Sequence, residues 1–203
     1  MTINAIVLDI GGVVLRTEDR SGRETLESQY GLSPGGADEL VFNSKVAAEA
    51  TIGKTSSDNI WRHVAETLSL TPEALAAFQH AFWKGDQIDE KLIQYIMSLS
   101  GKLTTAFLTN AWTDARNTLK EHYGIIEGKT VNHLLISSEL GMAKPDRKIF
   151  YFLSDTIATP FHQILFIDDF SENIAAAELL GIHTIHYKAG MDLIAHIQKK
   201  LNL

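Results

Sequence analysis

Five short apolar runs punctuate the chain: NAIVLD (residues 4–9), LTTAFLT (103–109), HLLIS (133–137), QILFID (163–168) and IHTIHY (182–187). A continuous apolar run of this length reads as a strand buried on both faces, because a strand with one wet face alternates. Helical spacing fills the intervals between the later runs, at residues 112–122, 145–157, 171–180 and 191–201. Strands alternating with helices predict an α/β fold, a Rossmann-like, doubly wound parallel sheet with helices on both faces.

Residues 17–88 break that rhythm. Segments such as GGADELVFNSKVAAEA, SSDNIWRHVAETLSL and TPEALAAFQHAFW read as helices only. Ser57 with Asp58, and Thr71 before Pro72 and Glu73, are candidate N-terminal caps. The block divides the chain into an α/β core domain, residues 1–16 and 89–203, and a small helical cap domain, residues 17–88, inserted after the first strand. Trp61, Phe82 and Trp83 are expected in the core of that cap, with one of them a candidate to line the substrate pocket.

Composition narrows the partners. With 203 residues, 45% hydrophobic and 21% charged, the chain can bury a sizeable core. A net charge of −7 without a Lys/Arg stripe argues against nucleic acid. Cysteine is absent, which excludes disulfides and thiolate metal sites and makes the cytoplasm the expected location. No apolar run approaches the ~18 residues of a membrane span, so no membrane partner is expected. The apolar start lacks a basic flank and carries Asp9 in its middle, as a strand does and a leader peptide does not.

Asp9, Thr109, Ser137 and Asp168 each end a predicted strand. Ligands of such sheets bind at the carboxyl edge, near the topological switch point. Asp168 and Asp169 are adjacent, and with Asp9 nearby they would repel unless a cation sat among them. Mg²⁺, a hard ion that takes carboxylates, carbonyls and water, is the natural choice. Lys144 supplies one positive charge, with Pro145 biasing it toward an extended conformation and suiting the first turn of a following helix. Three carboxylates and one ammonium leave a net of −2, which a divalent cation closes. Thr109 and Asn110 sit at a strand-to-helix turn, whose hydroxyl and amides suit phosphate oxygens. Asn173 is placed either to hydrogen-bond near the metal or to lie on a helix surface. His183 and His186, three apart in a strand, face opposite sides and share no metal.

Taken in order, Asp9 in DIGGVV, Thr109 in LTN, Lys144 in GMAKP and Asp168–Asp169 in FIDDFSEN resemble the four motifs of the haloacid dehalogenase superfamily. The resemblance covers both ends of the chain and accounts for the insert, since many members carry a helical cap after the first motif. SSELGMAKPD and DIGGV look most similar to the sugar-phosphatase-like branch related to the amino-terminal domain of soluble epoxide hydrolases. The resemblance implies an Mg²⁺-dependent phosphomonoester hydrolase acting on a small phosphorylated metabolite, a sugar phosphate among the candidates. Asp9 would attack phosphorus and form an aspartyl-phosphate. Thr109 and Asn110 would bind the phosphoryl group, and Lys144 would steady it and Asp9. Asp9, Asp168, Asp169 and the carbonyl of Gly11 would hold Mg²⁺.

Gly11 departs from that pattern. Phosphatases of the superfamily usually carry an aspartate there, which protonates the leaving oxygen and then activates water. Glycine keeps the carbonyl and loses the proton donor, a group typically worth ~100- to 10,000-fold. The same D-x-G form occurs in the sugar-phosphatase-like branch. A good leaving group, as in an acyl or anomeric sugar phosphate, needs less protonation; alternatively Glu18, Asp19 or His63 takes over. Two other readings stay open: a metal-independent dehalogenase, and a non-enzymatic phosphate-binding module with an incomplete site. A signalling receiver domain is rejected by chain order, since its acidic pair follows the first strand. The sequence leaves the substrate and the oligomeric state unspecified.

Overall fold

The structure, a computed structural model, describes residues 2–202. After β1 (Ala5–Leu8) come a short strand β2 (Leu15–Thr17) and five helices, α1 (Ser21–Tyr30), α2 (Gly36–Phe42), α3 (Lys45–Thr51), α4 (Ser57–Leu68) and α5 (Pro72–Trp83). A second short strand β3 (Asp86–Ile88) and helix α6 (Glu90–Ser98) lead back to the sheet. There follow β4 (Thr104–Thr109), α7 (Ala115–Tyr123), β5 (His133–Ile136), α8 (Ser137–Leu140) and α9 (Arg147–Thr156). The chain closes with β6 (Ile164–Asp168), α10 (Ser171–Glu178), β7 (His183–His186) and α11 (Leu193–Leu201).

Five of these strands form one parallel sheet in the order β5-β4-β1-β6-β7. The central strand is β1; the chain builds outward from it on one side, then on the other. The carboxyl ends of β1, β4 and β6 therefore flank the switch point, where such sheets bind ligands. Alternate residues explain the unbroken apolar runs. Ile6, Leu8, Phe107, Leu165 and Ile167 pack on one face against Leu92, Ile96, Leu193 and Ile197 of α6 and α11. Val7, Ala106, Leu108 and Phe166 pack on the other against Ile149, Phe150, Leu153 and Ile174 of α9 and α10. Both faces are dry.

The five sheet strands stand where the apolar runs place them. Helix starts differ: α7 begins at Ala115 rather than 112, and α9 at Arg147 rather than at Pro145. Asp146 is the cap of α9, accepting from the Lys148 amide at 3.0 Å, so Pro145 lies before the helix and not in its first turn. Thr71 caps α5 as expected, its Oγ1 accepting from the Ala74 amide at 3.3 Å. Ser57 does not cap α4: Ser56 holds that position, with no side-chain cap bond.

The inserted block is not helices only. Where the chain leaves and re-enters the core, β2 and β3 pair antiparallel, Leu15 opposite Ile88 and Thr17 opposite Asp86. Strands three residues long carry no readable period, and this ribbon straddles both expected domain boundaries. The five helices above it enclose a core of their own, built on Leu26, Val41, Ile60, Val64, Phe78 and Phe82. Among the described residues no helix is long and apolar enough to cross a membrane.

Arg23 fastens this block to the ribbon. Its buried guanidinium pairs with Asp38 of α2 and, at 2.8 Å, with Asp86 of β3, while Nε donates to the Phe82 carbonyl at 3.1 Å. The Arg23 and Asp86 side chains are only 6% and 7% exposed. Removing one partner of a buried pair strands the other charge, at a cost of about 3–5 kcal/mol. Arg23→Leu is expected to lower the free energy of unfolding by about that amount in urea titrations. Pairing it with Asp86→Leu should recover a large part of the loss, because the orphaned carboxylate goes too.

Candidate active site

Asp9 directly follows β1 and is buried, at 6% exposure. Its Oδ1 accepts from the Ile10 amide at 2.7 Å. Asp168 ends the neighbouring strand β6 and is fully buried. The Lys144 ammonium lies between them, 2.9 Å from Asp9 Oδ1 and 2.7 Å from Asp168 Oδ2, its side chain closed off from solvent. Burying an ammonium is costly unless it is paired on this scale. Asp168 is held further by the Phe170 amide (2.8 Å) and by Asn173 Nδ2, which donates to both carboxylate oxygens at 3.0 and 3.1 Å. Of the two placements open to Asn173, the structure shows the one inside the site.

Asp169 completes the cluster. One oxygen each from Asp9, Asp168 and Asp169 lie within 4.8 Å of one another. Asp169 Oδ1 is buried and has no hydrogen-bond partner. Burial, opposed by Lys144 and reinforced by Asp168 and Asp169, raises the Asp9 carboxyl to about 6. Burial, then the Asp168 charge, also raises that of Asp169. Three oxygen donors in mutual repulsion, one of them orphaned, have the chemistry of a hard divalent cation site.

Thr109, the last residue of β4, is buried beside this cluster's edge of the sheet. The Asn110 side chain is already engaged: it accepts from the Lys144 amide and donates to the Lys144 carbonyl, both at 2.9 Å. Asn110 thus clamps the backbone that carries the lysine. Ser137, at the end of β5, is fully buried. Its Oγ accepts from the Ala111 amide (3.0 Å) and donates to the Thr51 carbonyl of the inserted block (2.6 Å). Nearby a Cβ on Gly53 would stand 2.2 Å from the Ser138 carbonyl, so the two backbones touch. The two histidines part as strand geometry requires: His186 Nε2 donates to the Asp169 carbonyl at 3.0 Å, and His183 Nε2 is buried without a partner. Nothing in the sequence marks His186 as a neighbour of the site; only the register of β6 with β7 does.

The paired glycines differ. A Cβ on Gly12 would stand 2.1 Å from Asp169 Oδ2, and its φ of +76° is left-handed, so glycine is required there. At Gly11 a Cβ would meet nothing within 4 Å. An open cleft of about 700 Å³ lies between the ribbon and the loop after β7. Gly12 and Asp169 are among its walls, with Arg16, Glu18, Asp89 and Tyr187; Asp9, Thr109 and Lys144 are not.

No family model matches the chain. Mouse bifunctional epoxide hydrolase 2 is 31% identical over 102 residues, covering 48% of this chain and 18% of its own, so the chain spans under a fifth of that relative. D-ribitol-5-phosphate phosphatase of Bacteroides thetaiotaomicron is 26% identical over 204 residues, 94% of each chain. Among solved structures, a HAD-like family hydrolase from Porphyromonas gingivalis superposes with a TM-score of 0.79 over the whole of both chains at 22% identity. A HAD family enzyme of B. thetaiotaomicron, in complex with magnesium and inorganic phosphate, gives 0.77 over 96% of this chain and 98% of its own, at 20% identity. The chain has the fold of these HAD-like hydrolases, a five-stranded parallel sheet flanked by helices.

Two expectations follow for this haloacid dehalogenase fold. Gly12→Ala should lower the melting temperature and displace Asp169, whereas Gly11→Ala should melt within a degree or so of the parent, as ordinary surface changes do. Both are read by thermal unfolding. The second concerns pH. A carboxyl whose folded pKa lies above its unfolded value binds its proton more tightly when folded. The metal-free protein should therefore lose stability through Asp9 as pH rises from about 4 to about 6. Cations bind the deprotonated carboxylates, so millimolar Mg²⁺ should raise the melting temperature more at about pH 7.5 than at about pH 5.

Proposed function

We propose that the chain is an Mg²⁺-dependent phosphomonoester hydrolase that works through an aspartyl-phosphate on Asp9. The observation that carries this reading is the buried constellation of Asp9, Lys144, Asp168 and Asp169, with the orphaned Asp169 oxygen. The phosphatase named among its relatives, and the neighbour crystallised with magnesium and inorganic phosphate, support it. Residues 1–16 and 89–203 then form the catalytic core and residues 17–88 its cap.

Asp9, Asp168, Asp169 and the Gly11 carbonyl would hold the Mg²⁺. When bound, the ion supplies positive charge that lets an anionic nucleophile meet an anionic phosphate. Lys144, already paired with Asp9, favours the carboxylate form needed for attack. The Asp9 oxygen forms a bond to phosphorus as the ester oxygen leaves with its electron pair. The Thr109 hydroxyl and the amides of the turn after it donate to the transferring oxygens. Water then releases inorganic phosphate and restores Asp9.

No side chain at position 11 protonates the leaving oxygen, and two candidate substitutes are committed elsewhere. Glu18 is paired with Arg16 at 2.7 Å. Asp19 accepts from the Ser21 amide, which holds its carboxyl below the usual range and leaves it ionised at neutral pH. His63 lies in α4, half-buried. A metal-independent dehalogenase would have no use for Asp169 or its partnerless oxygen.

The test is phosphate release from acyl, sugar and alkyl phosphates. Turnover should require Mg²⁺ and vanish in Asp9→Asn. The space at position 11 admits a side chain, so Gly11→Asp should raise kcat/KM on alkyl phosphates by about 100- to 10,000-fold while changing acyl phosphates little. Release of halide from a 2-haloacid without Mg²⁺ would instead identify a dehalogenase. Phosphate binding without turnover of any ester would identify a binding module.

A further inference from the structure

Four aromatic rings meet at the seam between the inserted helices and the sheet. Trp61 of α4, Trp83 of α5 and Trp112 of the loop after β4 form a triangle with centroid separations of 6.1, 6.1 and 6.2 Å and interplanar angles of 79°, 87° and 69°. Phe42 of α2 joins at 5.8 Å from Trp112 and 5.9 Å from Trp83. None of the four is fully buried, and Phe42 is 40% exposed. On their inner side they cover the core of the inserted block, with Phe82 lying 4.9 Å from Trp83, 5.4 Å from Phe42 and 6.2 Å from Trp61. The parts of these rings that stay exposed attract further rings, edge-to-face or offset-stacked.

The position of Trp112 ties the cluster to the site. Two residues separate it from Thr109, so their Cα atoms are at most about 11 Å apart. Its predecessor Ala111 is fixed by Ser137 Oγ at 3.0 Å. A phosphoryl group held at Thr109 therefore carries its ester substituent within reach of the rings.

Gly11 supplies a second, independent constraint. Without a proton donor the ester oxygen must leave as an anion. An alkyl alcohol ionises far less readily than a phenol, which ionises near ~10. Resting on the phosphatase reading above, we propose that the substrates are aryl phosphates, small phosphomonoesters of phenols, whose ring is received by Trp61, Trp83, Trp112 and Phe42. The Asp9 carboxylate forms the bond to phosphorus, and the bond from phosphorus to the phenolic oxygen breaks. The electron pair stays on the phenolate, which takes its proton from solvent. Water then cleaves the aspartyl-phosphate to inorganic phosphate.

The chain's three tryptophans are all in this cluster, so intrinsic emission reports it alone. Asp9→Asn protein with Mg²⁺ is titrated with phenyl phosphate, propyl phosphate and inorganic phosphate. Phenyl phosphate should change the emission saturably, with a half-point about 10-fold below that of propyl phosphate, the worth of one good ring contact. In parallel, kcat/KM is compared for phenyl and acetyl phosphate, the second having a still better leaving group and no ring. Trp112→Leu should lower the phenyl-to-acetyl ratio about 10-fold, and Trp112→Phe should restore much of it. An emission unmoved by phenyl phosphate, or a ratio unchanged in Trp112→Leu, overturns the proposal while Asp9-dependent cleavage of acetyl phosphate leaves the phosphatase reading standing. Failure to cleave either ester takes down both.

Discussion

The site depends on one buried ammonium. Lys144 bridges Asp9 and Asp168 at the ends of adjacent strands, and without it two carboxylates would face each other in a dry interior. Its placement is expensive in entropy, since a long flexible side chain must be held still. The structure meets that cost by gripping the lysine's backbone: Asn110 bonds both its amide and its carbonyl from the loop after β4. The turn after β4, the lysine loop and the two acidic strand ends are thus one hydrogen-bonded unit, assembled across residues far apart in sequence.

The charges in this unit do not balance. Asp169 brings a third carboxylate with an oxygen that nothing in the protein satisfies, and Gly12 gives up a side chain so that this carboxylate can sit close. Buried polar atoms without partners are rare and mark places that expect something else. The departure at Gly11 has a different character. No neighbour excludes a side chain there, so packing does not account for the glycine.

Much of this was legible in the chain. Five apolar runs announced a sheet dry on both faces, and residues at their ends converged because parallel strands share a carboxyl edge. What stayed hidden depended on short or long-range features. Three-residue strands such as Leu15–Thr17 have no period to read. Helix α6 has a helical apolar spacing, Leu92 and Ile96, that the break between the inserted block and the sheet obscures. His186 reaches the site only through the register of β7 on β6, and Trp112 meets the aromatics of the inserted helices only through long-range packing. The position of Asn110 suggests a phosphate contact; that its side-chain amide bonds Lys144 depends on a loop 34 residues away.

Ser137 gives the packing of the inserted helices on the sheet a kinetic meaning. A single hydroxyl oxygen holds Ala111, on the turn that follows Thr109, and Thr51, at the end of a helix in the inserted block. Displacing that block by even a hydrogen bond's length breaks the second contact and frees the serine to rotate away from the first. Movement of the inserted helices and slackening of the turn after Thr109 are then one event.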